Sequence, residues 1–333
     1  MIVTFDEMKN ELSRGLKNHG FSAERAEESA DLFTWNTVDG IASHGVNRFP
    51  RVIEYLKKGY IDVDAVPTKT NSLGALEQWN GNLGMGNLNA KICMNRAMEL
   101  ASEYGIGCVA LGNTNHWMRG GAYGWQAADN GYAGICWTNT QPNTPPWGSS
   151  DRKIGNNPFI VAIPREKGNL IVDVAMAQYS YGKIEQAQMN NEMLPFPGGF
   201  DSKGNLTSDP AEISKTWRVL PIGYWKGSGM SIVLDLLAAT LSGGKTVREV
   251  GTLGGDEYSL SQIFIALNIH GMNSPEWVSR VLDESIEDIK NSTRVDEHRE
   301  IMYPGEPELR TREKHLKHGM DVNDQVWETI KNL

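Results

Sequence analysis

Residues 43–51 place an ionisable histidine, His44, four positions before an arginine, Arg48. Histidine has an unperturbed pKa close to neutral, so His44 could give a proton under physiological conditions. The planar guanidinium of arginine can bind a carboxylate through two parallel hydrogen bonds. The pair therefore suits the reduction of a 2-oxo acid, in which the ketone oxygen needs a proton and the carboxylate needs a cation. On spacing alone, a surface histidine beside a solvated arginine is the alternative.

A carboxylate could complete such a site. Asp173 ends the run Leu-Ile-Val-Asp at 170–173, which is predicted to be a strand. From the end of a strand, its side chain could fix the tautomer of His44 and support the charged form of the ring. The alternative is that Asp173 only caps a helix or stabilises a turn.

A second histidine and an asparagine are candidates for substrate contacts. Asn115 is predicted to cap a helix, which puts His116 in the first turn, where the helix dipole disfavours protonation. A neutral His116 could then donate a hydrogen bond to a substrate oxygen, or it could simply cap the helix. Asn156 lies in the irregular stretch 139–158, and a loop of that length in a compact domain is usually functional.

Two glycine-rich segments could approach a ligand closely. Residues 225–229 precede a predicted helix whose N-terminus offers free backbone donors, and Lys226 could meet a phosphate there. A surface turn is the alternative. Residues 81–87 lack the Gly-x-Gly-x-x-Gly order, and no ribose-binding acid follows at the expected distance. They are predicted to form a turn before a helix, so these patterns alone predict no Rossmann dinucleotide site.

The bulk composition excludes several classes of partner. The 333 residues are 40% hydrophobic and 22% charged, which is ordinary for a soluble protein. A net charge of −9 without a basic cluster argues against binding to nucleic acid. Cys93, Cys108 and Cys136 lie in apolar runs without metal-ligand spacing, so we expect buried free thiols. Without a secretory signal or a membrane-length apolar run, we expect a cytoplasmic protein with no membrane partner.

The elements that must position these residues change in type along the chain. The first ~60 residues are predicted to be helical, with caps at Thr4 and Ser22 and with Pro50 in the first turn of a third helix. Strands are predicted at 107–111, 134–138, 159–163, 170–174 and 263–269, and helices at 87–104, 116–129 and 229–242. Two amphipathic helices follow near the end of the chain. We predict an α/β fold with a mixed-sheet domain at 71–274 and a discontinuous helical domain at 1–70 plus 275–333.

Beyond these local patterns, the chain resembles the type 2 malate/L-lactate dehydrogenase family nearly end to end. Members of that family are nicotinamide-dependent reductases that do not use a Rossmann domain. The resemblance is carried by residues 43–51, by Asn-His-Trp-Met-Arg-Gly-Gly at 115–121, by Gly-Ile-Cys-Trp-Thr-Asn at 134–139, by Ile-Gly-Asn-Asn-Pro at 154–158, and by Leu-Pro-Ile-Gly-Tyr-Trp-Lys-Gly-Ser-Gly-Met at 220–230. Each run alone is weak, but together they are specific.

The resemblance implies a fold, a cofactor and roles for particular residues. The mixed-sheet domain should bind NADH, or NADPH, in a non-Rossmann manner. His44 should be the proton donor, and Arg48 should bind the substrate carboxylate. By position, the cofactor should be lined by Asn169, Leu170, Ile171, Val172, Asp173, Val174, Ala175, Trp225, Lys226, Gly305, Glu306 and Pro307. Residues 304–307 read Pro-Gly-Glu-Pro, whereas close members of the family carry Gly-His-Glu, so this chain departs from the family at the adenosine end.

The resemblance also implies a homodimer. Large side chains beside glycine-rich loops, such as Trp117, Met118 and Trp147, fit that expectation because such residues often anchor interfaces. The alternative is that they fill the core and the pocket.

Other functions stay open at the level of residues. Within the family, the chain could reduce a sugar-derived 2-oxo acid, act as a malate or L-lactate dehydrogenase, or reduce a cyclic imine carboxylate. A metal-independent hydrolase could use His44 with Asp173, although no nucleophile motif such as Gly-x-Ser-x-Gly is present. A metal enzyme would need His44, Asp173 and His116 to converge on one ion. No motif such as His-Glu-x-x-His occurs, so we predict no metal. The last alternative is a non-catalytic sugar-acid-binding protein.

Overall fold

A computed structural model describes residues 1–333 of the chain. The helices are α1 (Phe5–Asn18), α2 (Ala23–Val38), α3 (Phe49–Lys57), α4 (Gly86–Tyr104), α5 (Gly121–Asp129), α6 (Tyr181–Met189), α7 (Pro210–Thr216), α8 (Trp225–Ser242), α9 (Val247–Val250), α10 (Pro275–Lys290), α11 (Glu306–His318) and α12 (Asp324–Lys331). The strands are β1 (Ile2–Val3), β2 (Thr68–Leu73), β3 (Leu76–Asn80), β4 (Ile106–Thr114), β5 (Ala133–Thr138), β6 (Phe159–Ile163), β7 (Leu170–Val174), β8 (Gly199–Phe200), β9 (Leu206–Thr207), β10 (Leu260–Leu267) and β11 (Met320–Asp321).

Seven strands form the central sheet in the order β2-β3-β4-β10-β5-β6-β7. Only β3 and β4 are parallel, and all other neighbours are antiparallel. The late strand β10 lies in the middle of the sheet, between β4 and β5, whereas β7 forms one edge. The sheet is therefore mixed, as predicted, and lacks the parallel strand order of a Rossmann domain.

Helices cover both faces of this sheet. Successive residues of a strand point to opposite faces, so neighbouring residues of β4 serve different layers. Val109 packs with residues of α4 and α5 on one face, whereas Ala110 packs with Leu234 and Ala238 of α8 on the other. None of the twelve helices combines the length and the apolarity that crossing a membrane requires.

The helices from the two ends of the chain pack on each other. The predicted capping box begins α1: the Glu7 amide donates to Thr4 Oγ1, and the Thr4 amide donates to Glu7 Oε2. Ser22 caps α2, as predicted. Trp327 and Ile330 of α12 are buried in the same core as residues of α1, α2 and α3. Strand β1 pairs with β11, which joins the start of the chain to its end.

Two of the predicted domain bounds can be compared with the positions of the elements. The boundary at residue 70 falls inside β2, which belongs to the central sheet. Helix α10 was assigned to the helical domain, yet Arg165 of the loop after β6 donates to Asp283 of α10 at 2.7 Å. Helix α10 also lines a cavity together with Ile163 and Leu267 of the sheet, so it lies beside the sheet.

Several elements also begin or end elsewhere than predicted. Helix α8 begins at Trp225 instead of residue 229, so the glycine-rich residues 225–229 form its first turn instead of preceding it. Strand β10 begins at Leu260 and ends at Leu267, since Ile269 already lies in a short 3-10 turn. Helix α5 begins at Gly121 instead of residue 116. The carbonyl of Trp117 is taken by the hydroxyl of Tyr123 at 2.6 Å, and Met118 adopts the left-handed conformation with φ 70°. Residues 116–118 therefore cannot form the first turn of a helix.

Candidate active site

Two short 3-10 turns position the first pair of predicted site residues. Residues 42–44 and 46–48 form the turns, so that His44 ends one and Arg48 ends the other, directly before α3. Gly45 between them packs against α2, where an added Cβ would lie 2.2 Å from Thr37 Oγ1. The side-chain amide of Asn36 donates to the His44 carbonyl at 3.0 Å. Helix α2 thus fixes the backbone from which both side chains leave.

The two predicted histidines meet face to face. The rings of His44 and His116 stack with centroids 5.9 Å apart and planes inclined by 21°. The amide of Met118 donates to His116 Nδ1 at 3.0 Å, so this nitrogen carries no proton. A neutral His116 must then carry its proton on Nε2, where it can donate to a ligand.

The reason for a neutral His116 differs from the one predicted. Asn115 does not cap a helix: its side-chain amide donates to the carbonyls of Tyr60, Leu83 and Gly84. The helix dipole therefore does not contribute to the neutral state of His116. Burial lowers the pKa of His116 well below its usual value, and the nearby positive charge of Arg48 lowers it further.

His44 is also neutral at neutral pH in the free protein. Burial lowers the pKa of His44 to about 4, the charge of Arg48 acts in the same direction, and the charge of Asp173 opposes them. The expectation of an acid with a pKa close to the working pH is thus not met before substrate binds. A bound anion beside the ring would favour its charged form.

Asp173 acts on His44 through its charge and not through a hydrogen bond. It accepts a hydrogen bond from the Gly121 amide at 2.9 Å, and its Oδ2 lies 3.6 Å from Nε of Arg119. His44 instead has Ser43 Oγ 3.0 Å from its Nδ1. The predicted role of Asp173 in fixing the tautomer of His44 through a hydrogen bond is therefore not present in this conformation.

A buried ion network stands behind Asp173. Arg119, whose side chain is 3% exposed, pairs through Nη1 with Asp39 Oδ2 at the end of α2. Arg312 of α11 binds the same carboxylate through two hydrogen bonds, from Nε to Oδ1 at 2.7 Å and from Nη2 to Oδ2 at 3.0 Å. The Nε of Arg119 is buried without a hydrogen-bond partner and faces Asp173. Helix α11 is thus connected to the candidate catalytic residues by a series of charged side chains.

Arg48 has a carboxylate partner that the sequence did not reveal. Its Nη2 lies 3.5 Å from Oε2 of Glu257, and the side chains are 21% and 9% exposed. Burial lowers the pKa of Arg48, and the charge of Glu257 opposes this shift. The guanidinium is therefore balanced by one buried carboxylate and still has donors left for a ligand.

The long loop at 139–158 approaches both sides of the site. At its start, the amide of Gln141 donates to Glu257 Oε1 at 3.3 Å. Further on, the amide of Trp147 donates to Ser228 Oγ in the first turn of α8 at 3.0 Å. Asn156 accepts from Met176 through its backbone carbonyl and from Asn143 through its side-chain oxygen. This side-chain oxygen keeps one acceptor position, and the amide nitrogen of Asn156 can also donate to a substrate.

The three segments implied to line the cofactor adjoin one edge of the sheet. Val172 and Val174 of the edge strand β7 are 36% and 37% exposed. At the start of β7, an added Cβ on Gly305 would lie 2.9 Å from the Asn169 carbonyl oxygen, and its φ of +98° favours glycine. Beyond the end of β7, the Ile222 amide donates to the Met176 carbonyl at 2.9 Å, which brings the start of α8 there.

This arrangement fits an extended dinucleotide. An apolar edge strand lies between the N-termini of α11 and α8. The free backbone donors expected at the start of α8 are mostly used within the chain, because the amides of Lys226, Gly227 and Ser228 donate to preceding carbonyls. Lys226 is exposed and makes no ion pair within the chain. The side chain of Glu306 is not free, because it binds Lys290 and Arg310, each at 2.6 Å. Gly305 and the neighbouring Pro307 then contribute to this end of the candidate cofactor site through the conformation of their backbone.

Sequence reasoning missed the charged residues that support the site. Asp39, Arg119, Glu257 and Arg312 lie far apart in sequence, and each occurs in a segment without a recognisable motif of its own except Arg119, which stands in the run at 115–121. Arginine followed by two glycines in an otherwise apolar segment was the one available signal for Arg119. Nothing comparable marked Glu257.

Comparison with known proteins agrees with this architecture. The family model described as malate/L-lactate dehydrogenase matches residues 3–331. A 2,3-diketo-L-gulonate reductase of Citrobacter koseri is 48% identical over 333 residues, 100% of each chain. The protein of the same name from Klebsiella pneumoniae is 47% identical over the same length.

Solved structures give the same result. The sulfolactate dehydrogenase of Methanocaldococcus jannaschii superposes with a TM-score of 0.92 at 31% identity, covering 100% of this chain and 96% of that one. The malate dehydrogenase of Pyrococcus horikoshii superposes with a TM-score of 0.89 at 27% identity, covering 99% and 93%. The chain therefore belongs to the malate/L-lactate dehydrogenase family, whose members are nicotinamide-dependent oxidoreductases of hydroxy and oxo acids.

Proposed function

We propose that this oxidoreductase reduces 2,3-diketo-L-gulonate to 3-dehydro-L-gulonate with NADH. The observation that carries the proposal is the meeting of two stacked imidazoles, His44 and His116, with the guanidinium of Arg48. The two relatives at 47–48% identity carry the name of this activity. The runs at 115–121 and 220–230 also resemble those of such reductases.

Each side chain has a separate task in the proposed reaction. Arg48 binds the carboxylate through its free donors, and His116 donates from Nε2 to the ketone oxygen. A bound nicotinamide would supply the hydride that C2 needs, and His44 gives one proton to the ketone oxygen, so that a ketone becomes an alcohol. The anionic substrate favours the charged form of His44 that this step needs. Asp173 supports the same charge, as its effect on the pKa of His44 indicates.

The charges at the adenosine end favour NADH over NADPH. A 2′-phosphate needs a free cation. Near Gly305 the cations are Lys290 and Arg310, and both are paired with Glu306. Arg310 also pairs with Glu300 at 2.6 Å. With these cations neutralised inside the chain, the additional charge of NADPH would find no partner there.

A steady-state assay tests the proposed function. Oxidation of NADH and NADPH is followed against 2,3-diketo-L-gulonate, oxaloacetate, pyruvate and a cyclic imine carboxylate, with and without a chelator. We expect the highest kcat/KM with NADH and 2,3-diketo-L-gulonate, unchanged by chelation. Preference for oxaloacetate, pyruvate or the imine would instead assign the activity of another branch of the family. Binding of sugar acids without any NADH oxidation would indicate a non-catalytic binding protein.

Lys226 should contact a phosphate of the cofactor. Replacing Lys226 by Ala removes an exposed cation from the first turn of α8. We expect the dissociation constant for NADH, measured by fluorescence titration, to rise about tenfold, the size of one charged hydrogen bond. Lys203→Ala removes another exposed lysine from a turn and should leave the dissociation constant unchanged. Equal affinity of the two variants would place the phosphate site elsewhere.

We also propose that the working unit is a homodimer. Trp117 and Met118 are 1% and 3% exposed and fill the core, whereas Trp147 is 46% exposed and is accessible to a second copy. Helix α8 carries a row of exposed apolar side chains after its glycine-rich start: Met230 44%, Ile232 39%, Val233 58%, Leu236 51% and Leu237 41%. A row of this kind on a surface helix fits contact with a second copy.

Disrupting this face tests the homodimer. Val233→Glu places a charge in the middle of the row, and we expect a monomer mass by light scattering together with loss of activity. Leu316→Glu makes the same kind of change at an exposed leucine of α11, and its mass should equal that of the wild type. Full specific activity of the wild type at a dilution where its mass is that of a monomer would contradict the proposal.

A further inference from the structure

The carboxylate of Glu257 lies beside Arg48, where it could contact a second polar or charged group of a bound substrate. Its side chain is 9% exposed, and its Oε2 lies 3.5 Å from the guanidinium of Arg48. Its Oε1 accepts one hydrogen bond, from the Gln141 amide at 3.3 Å. A carboxylate offers about four acceptor positions. Glu257 therefore has capacity left to accept hydrogen bonds from a ligand.

The backbone around Glu257 is fixed by contacts on both sides. Asp256 Oδ2 lies 3.1 Å from Nζ of Lys58, and the ring of Tyr258 stacks on Tyr60 with centroids 4.3 Å apart. The amide of Glu257 itself donates to the hydroxyl of Tyr55 at 3.0 Å. Three consecutive residues are thus attached to α3 and to the turn that follows it. These contacts fix the backbone from which the Glu257 side chain extends towards Arg48.

The balance of charge in the pocket limits what can bind. Arg48 contributes one positive charge and Glu257 one negative charge, and the two imidazoles are neutral. The next cation, Arg51, donates from Nη2 to the neutral hydroxyl of Tyr55 at 3.1 Å and also feels the charge of Glu257. One substrate carboxylate can share Arg48. A second carboxylate placed beside Glu257 would meet a like charge, whereas a hydroxyl would donate to it.

We infer that Glu257 is a specificity-determining residue, which selects monoanionic 2-oxo acids that carry hydroxyl groups and rejects dianions such as oxaloacetate. This inference rests on the proposed function, because it concerns the same pocket. Repulsion of a like charge is a recognised way to exclude a wrong partner. A residue that merely supports Arg48 would affect mono- and dianions alike.

Kinetic selectivity gives the first test. For the wild type, Glu257→Gln and Glu257→Asp, kcat/KM is measured for 2,3-diketo-L-gulonate and for oxaloacetate. We expect kcat/KM for 2,3-diketo-L-gulonate divided by kcat/KM for oxaloacetate to fall about tenfold or more in Glu257→Gln, which loses the charge and keeps the shape. Glu257→Asp keeps the charge and should keep the preference for the monoanion. An unchanged ratio in Glu257→Gln, with both rates reduced equally, would overturn the inference.

Binding of unreactive acids gives the second test, which does not depend on turnover. Calorimetry with the NADH-bound protein compares L-gulonate, a polyhydroxy monoanion, with tartrate, a dianion. Glu257→Gln should narrow the preference for gulonate, whereas Glu328→Gln on the exposed surface of α12 should not. If no 2-oxo acid is reduced, the proposed function fails, and these affinities alone decide the role of Glu257. Active enzyme with unaltered selectivity in both tests would refute the role of Glu257 and leave the proposed function standing.

Discussion

We expect His44→Ala to lower turnover by on the order of 10²–10⁴, the range that general acid catalysis contributes. The ring of His44 is the candidate acid, and it stacks on His116, which has the separate task of donating a hydrogen bond. The dissociation constant for NADH should stay nearly the same, because the segments implied to bind the cofactor lie along β7, α8 and α11. Single-turnover rates and NADH titrations measure the two effects separately. Turnover close to that of the wild type would refute the assignment.

The pH dependence of the wild type should carry the signature of the same residue. Burial lowers the pKa of His44 to about 4 in the free enzyme. Reduction needs the protonated ring, so above that pKa the protonated fraction falls tenfold for each pH unit. We therefore expect kcat/KM for reduction to fall with this slope from about pH 5 to pH 8, since kcat/KM reports the free enzyme. In the oxidation direction the neutral ring is the base, so kcat/KM should not fall over this range.

The largest effect on stability should come from Asp39→Ala. Asp39 is 4% exposed and is the shared partner of Arg119 and Arg312. Its removal leaves the guanidinium of Arg119 buried without its carboxylate, and breaking a buried pair in this way costs about 3–5 kcal/mol. Urea denaturation followed by circular dichroism measures the free energy of unfolding.

A matched exposed pair provides the control for this experiment. Glu284 pairs with Arg280 on the surface of α10, where the side chains are 65% and 55% exposed. Glu284→Ala should leave the urea midpoint nearly unchanged, because solvent screens such pairs. A midpoint for Asp39→Ala equal to that of Glu284→Ala would show that the network does not stabilise the fold.

Local chemistry explains why much of the fold could be predicted. The caps at Thr4 and Ser22 depend on hydrogen bonds within four residues, and the bounds of β6 and β7 follow from short apolar runs. The failure at 116–120 has a tertiary cause. Asn115 resembles a helix cap in sequence, but its amide is bound by three carbonyls from two distant segments.

The candidate site was predictable only in part, for the same reason. His44 and Arg48 lie in one segment, so their proximity follows from the sequence, and the resemblance to the family supplied His116. The partner of Arg48 could not be predicted, because Glu257 is about 200 residues away and reaches it through the packing of α3. The low pKa of His44 also depends on burial, which no local pattern reports.

The position of β10 has a consequence for how the chain is made. Strands β4 and β5 each pair with β10 in the middle of the sheet, yet β10 begins at residue 260 and they end by residue 138. While the ribosome synthesises the intervening residues, both strands of the nascent chain have an unpaired, largely apolar edge. Such edges promote association between chains. Chaperones that act during translation would therefore protect this protein chiefly in the interval before residue 267 emerges from the exit tunnel.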